Sequence, residues 1–99
     1  MKIELSKDQL DTEEALSERF SALIAQNHYA EICAIKLRDQ LVFCVVIEKL
    51  RDFVYDMRDF HIGLVESEVA REYHDSFESA MTVVMNTMFD LTSELNEAP

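Results

Sequence analysis

The sequence predicts an all-α protein: a long antiparallel helical hairpin behind a shorter N-terminal helix, completed as a helical bundle by dimerisation. Three observations carry that expectation. One Gly and one Pro in 99 residues leave few turns, and few turns mean long elements, which in an ordinary domain are helices, since strands average about 5–6 residues. Apolar residues from Ile62 to Leu95 recur every three or four positions, with no Gly or Pro after Gly63 until Pro99, the period of one helical stripe. Leu50-Arg51-Asp52-Phe53 returns seven residues later as Met57-Arg58-Asp59-Phe60, a heptad spacing.

Taken in order, residues 1–11 read as an arm or cap, with MKIEL alternating polar and apolar. Ser6 precedes Gln9, and Asp11 precedes Glu14, by the three residues of a capping box. Ala15, Leu16, Phe20, Leu23 and Ile24 then follow helical spacing, predicting a helix over 12–26. Asn27 tolerates the left-handed conformation that ends helices. Residues 29–60 are expected as one long or kinked helix. The tetrapeptide KLRD occurs at 36–39 and again at 49–52. On a helix the two copies lie about 220° apart once whole turns are removed. The intervening LVFCVVI is apolar on every side and must be buried on every side.

The alternative for this stretch is an α+β fold with a β-hairpin over 31–48, turning at Arg38-Asp39-Gln40. Val42, Val45, Val46 and Ile47 favour strands, but the turn lacks the Asn-Gly or Gly of tight hairpins. The cysteines separate the two arrangements. On a helix Cys33 and Cys44 stand about 16 Å apart along the axis; across a hairpin they face each other. Phe60-His61-Ile62-Gly63 is expected to turn the chain into a last helix over 63–96, about 50 Å long. A stripe of that length calls for a companion, hence a homodimer, and the 99 residues form a single domain.

The formal charge is −11, and residues 61–99 hold eight acids against one Arg. Such a surface repels nucleic acid and anionic membrane and attracts a basic protein. No apolar run reaches the roughly 18–20 residues of a membrane span, the N-terminus lacks a signal peptide's apolar core, and two cysteines make no secreted disulfide scaffold. A cytoplasmic protein is expected.

The residue pattern predicts no catalytic, cofactor or metal site. His28 with Glu31 and His74 with Glu78 offer pairs, whereas a metal needs three or four convergent ligands. His74-Asp75-Ser76 has the letters of a hydrolytic relay, but neighbours on a helix point about 100° apart. Cys33 and Cys44 sit among Ile, Ala, Val and Phe, the setting of inert thiols. With one Gly there is no Gly-rich phosphate loop.

The expected partner-binding surface is acidic. Glu68, Glu72 and Asp75 fall at i, i+4 and i+7 on the polar side of the last helix, Asp90 and Glu97 continue the line, and Phe89 is the aromatic on that side. Met81, Met85 and Met88 read as core filling. The function expected from these features is a non-enzymatic acidic interaction module. It would bind and block a basic, nucleic-acid-handling protein, in the manner of an inhibitor, immunity protein or antitoxin, with nucleic-acid mimicry as one form. Charge density weighs on mimicry: eight acids over about 50 Å give one per ~6 Å, against one per ~1.7 Å in duplex DNA. The alternative is a structural or chaperone-like oligomer acting through its apolar stripe.

Overall fold

A computed structural model describes residues 1–25, 27–56 and 60–97, with side chains described for 1–25, 27–51 and 65–93. It overturns the all-α expectation and the helical bundle with it. The chain forms a five-stranded antiparallel sheet with one substantial helix. The elements are β1 (Lys2–Ile3), α1 (Lys7–Leu10), β2 (Glu13–Ala25), β3 (His28–Leu37), β4 (Gln40–Asp56), β5 (Phe60–His74) and α2 (Phe77–Glu97). Strands β2 to β5 make a meander, and the sheet order is β1-β5-β4-β3-β2. Where helices over 12–26 and 29–60 were expected there are β2, β3 and β4, and the 63–96 rod divides into β5 and α2. Phe60, Ile62 and Gly63 belong to β5 rather than to an inter-helix turn, and residues 57–59 of the heptad repeat lie outside the described residues.

The hairpin alternative is the arrangement present at β3–β4. Leu37 pairs with Gln40 around Arg38-Asp39, and Cys33 lies directly opposite Cys44. The tight turn is made without glycine because Arg38 itself takes the left-handed conformation, φ 53°. Asn27 does the same at φ 61° between β2 and β3, so its tolerance of that region serves a β-turn and not a helix end.

The burial of β4 explains LVFCVVI. Phe43, Val45 and Ile47 point to one face, where they join Ile24, Ala30, Ile32, Ala80 and Val84 beneath α2. Val42, Cys44 and Val46 point to the other, against Ile35, Leu37, Ile3 and Leu5. That second cover follows from topology. β1 and β2 lie on opposite edges of the sheet, so residues 4–12 must cross a face, and Ile3 and Leu5 pack where they do so. A strand covered on both faces reads as a continuous apolar run. Ile32, Ile35, Ile47, Val42 and Val45 are the largest fully buried side chains, each contributing about 1.5–3 kcal/mol through burial.

Helix α2 starts where its cap dictates. Ser76 Oγ accepts from the Ser79 backbone N–H at 3.1 Å, and the Ser76 carbonyl accepts from Ala80 N–H. Of the two capping-box patterns, Ser6–Gln9 is formed and opens the single turn of α1; Asp11–Glu14 instead runs into β2.

Two outcomes check this fold. Oxidation by diamide should join Cys33 to Cys44 within the monomer, since facing residues across antiparallel strands lie in disulfide range, and mass spectrometry should find the linked peptides. Arg38→Gly should raise stability to urea by about 1 kcal/mol, because glycine takes the left-handed region without the Cβ clash.

Candidate protein-binding surface

Three regions of the surface carry concentrated chemistry: the junction of β5 with α2, the sheet face away from α2, and the outer side of α2. The first is a polar clamp. The Met1 ammonium donates to Asp75 Oδ1 and to Ser79 Oγ, both at 2.6 Å, and Asp75 N–H donates to the Met1 carbonyl. Ser79 Oγ also makes a hydrogen bond with His74 Nδ1, whose donor is set by the tautomer of the ring. The other ring nitrogen, Nε2, faces Glu72 Oε1 at 3.5 Å, a distance beyond a good hydrogen bond. Glu72 also lies 3.9 Å from Lys2 Nζ. The adjacent ammonium holds the Asp75 carboxyl below its usual range.

Ser79, His74 and Glu72 have the composition of a hydrolytic relay. His74, however, is only 4% exposed, and the Ser79 oxygen is occupied by an ammonium, which withdraws its lone pair from any substrate. The arrangement ties the first residue of the chain to the start of α2.

The second region, the sheet face away from α2, is a charged shelf beside the N-terminal crossing. Arg19 Nε lies 3.3 Å from Glu31, and Arg71 forms a close pair with Glu68 at 2.7 Å. Between them stand the two thiols. Burial first, then the hydrogen bond to Glu31, pushes Cys33 up to about 11; burial also raises Cys44. Both therefore stay protonated near neutral pH and are poor nucleophiles.

These pairs account for half of the expected partner-binding residues. Glu68 is on β5 and bound to Arg71, Glu72 is on β5 beside Lys2 and His74, and Asp75 is in the junction with Met1. The helical ladder that aligned them does not exist, and all three acids are engaged within the chain. Phe89 and Asp90 do stand exposed on α2. Glu97 ends α2, and its side chain lies outside those described. The metal-pair spacings lose their basis as well: His28 and Glu31 are three apart on β3, hence on opposite faces, and His74 and Glu78 belong to different elements. Among the described residues no group of three or more His, Cys, Asp or Glu is placed to hold a metal ion.

The third region is the outer side of α2. Ala80, Val84, Met81, Val83 and Leu91 meet the sheet. Met85, at 57% exposure, and Phe89, at 71%, stand outward with Met88, flanked by Asn86 and Asp90. Met81 fills core as expected; Met85 and Met88 do not. On the helical wheel Met85 falls at the edge of the stripe that Ala80, Val84 and Leu91 occupy, and Met88, within it, is nonetheless 39% exposed. Ser76 before Phe-Glu is the sequence signal for where α2 begins.

No protein-family model, curated protein sequence or solved structure matches this chain. No helix among the described residues is long and apolar enough to cross a membrane.

Ser79→Ala should lower stability by about 1–3 kcal/mol in urea titrations, since it leaves the buried His74 nitrogen without its partner.

Proposed function

We propose that this chain is a small acidic, non-catalytic protein-recognition module. Its target is a basic protein, bound through the outer side of α2 with Met85 and Phe89 as contact residues and Asp90 at their border. The observation that carries this reading is the exposed pairing of Met85 and Phe89 on a helix whose other side already anchors the core. Large apolar side chains clustered outward on an otherwise charged surface mark contact sites, and methionine adapts to varied partners. The net charge of −11 disfavours a second copy of the chain and favours a basic partner.

Three of the acids that would imitate a phosphate backbone, Glu68, Glu72 and Asp75, are engaged in internal pairs, so blocking of a nucleic-acid-handling protein would rest on occupancy of its surface more than on charge mimicry. Dimerisation likewise loses the argument from a 50 Å stripe. The raised pKa of both thiols and the buried His74 support a role without catalysis.

Immobilised protein should capture a basic protein from extracts of the native host at low salt and release it at high salt. The double variant Met85→Asp, Phe89→Asp should retain its thermal midpoint, both sites being exposed, and lose that capture. A variant that retains everything the natural chain retains would refute the reading.

A further inference from the structure

Beside the first turn of α2 the sheet holds a pocket of about 430 Å³, lined by Phe20, Ile32, Ala34, Phe43 and Phe77, within the roughly 300–1,000 Å³ usual for binding pockets. Its origin lies in the β2–β3 register. Pairing jumps from Ala15–Ile35 to Arg19–Cys33, so residues 16–18 stand opposite Ala34 alone. The extra residues bow β2 away from the sheet, and the small Ala34 leaves the floor low. Phe77 meets Phe20 at 6.4 Å and Phe43 at 6.1 Å, both edge to face, so the walls brace one another. The void is thus formed before any ligand arrives.

The pocket does not stand alone. Phe77, Met81, Met85 and Met88 recur at i, i+4, i+8 and i+11 along one flank of α2, so the flank that walls the pocket leads about 16 Å onward to the exposed methionines. Charge at the mouth has one sign once pairs are removed. Arg19 is compensated by Glu31, while Glu18 at the rim makes no ion pair among the described residues.

We propose that this pocket receives an aromatic side chain set in a basic segment of the partner protein, its cationic neighbours meeting Glu18 at the rim. Three phenylalanines over an aliphatic floor suit a flat apolar ring, and central aromatic anchors supply most of the affinity of protein interfaces. The assignment rests on the recognition role proposed above and adds the anchor and its seat.

The test uses a fluorescent synthetic peptide with one tryptophan among lysines and arginines. Two controls accompany it: the same peptide with alanine for tryptophan, and one with glutamates for the basic residues. The full chain should bind the first peptide roughly tenfold more tightly than either control. Ala34→Leu, which fills the pocket, should weaken binding roughly tenfold. Glu18→Lys, at an exposed site that the fold does not need, should weaken it too. Equal binding of the tryptophan and alanine peptides would overturn the proposal, as would insensitivity to both variants. Tight binding of free indole with no gain from basic residues would also overturn it, pointing to a small-molecule pocket. So would a dimer by light scattering that Ala34→Leu abolishes, since a second copy would then fill the groove. If Met85→Asp, Phe89→Asp abolishes capture of the host protein while Ala34→Leu does not, the pocket assignment fails and the recognition role stands. If neither variant affects it, both fail.

Discussion

Over residues 42–47 strand β4 packs into the core on both faces, and the rest of the molecule is arranged to keep it so. Helix α2 covers Phe43, Val45 and Ile47; the segment crossing from β1 to β2 covers Val42 and Cys44. Neither cover is adjacent to β4 in sequence, so each must be brought back by the chain's ends. The sheet order achieves this. Placing β1 beside β5, and β2 at the far edge, obliges the N-terminal residues to traverse one face while α2 returns over the other. The two covers meet at the β5–α2 junction, where Met1, Asp75, Ser79 and His74 bind one another. A polar clamp there positions α2 at its first turn, and the outward face that follows is a consequence of that phase.

This construction divides the surface. One sheet face carries paired charges around two free thiols, Cys44 buried and Cys33 partly so. The other carries a helix whose outer flank is apolar and a pocket produced by a strand irregularity. Burial of the whole apolar inventory was not achieved, although the core has an ample share of β-branched residues. Of the large apolar side chains left exposed, Leu23, Leu41, Val65 and Val69 are spread over the strands, while Phe77, Met85, Met88 and Phe89 share one helix, and it is the shared element that makes the second group a candidate contact.

How much of this was legible in the sequence depends on which spacing is read. An i, i+4 interval is shared by helices and strands, because four residues are both about one helical turn and two full strand repeats. Val65, Val69 and Tyr73 satisfy either, so Ile62 to Leu95 looked like one rod. Within LVFCVVI, Val42, Cys44, Val45 and Ile47 are buried as the composition implies while Leu41 is half exposed, and a central strand answers the demand for burial on two sides as well as a crossing helix does. The opposed cysteines, the left-handed tolerance of Asn27 and the Ser6–Gln9 box were all visible. Scarcity of glycine misled, since Arg38 supplied the positive φ that a glycine would have announced. Of the expected contact residues, Phe89 and Asp90 were placed outward by wheel geometry that survives within α2. Glu68, Glu72 and Asp75 are aligned only on a helix over 63–96, whereas α2 begins after them at Phe77. The pocket was not legible at all, because it depends on residues 16–18 facing Ala34, a register that no local pattern encodes.

Both margins of the sheet are interrupted. On β5, Glu66 and Val69 are each surplus to the ladder with β4, and β2 carries its own surplus at 16–18. Interrupted margins offer no straight row of amides and carbonyls for a foreign chain to copy. Grafting an additional strand onto this scaffold would therefore require deleting those surplus residues first, and an engineer who did so would restore the template for fibrous self-association that their presence withholds.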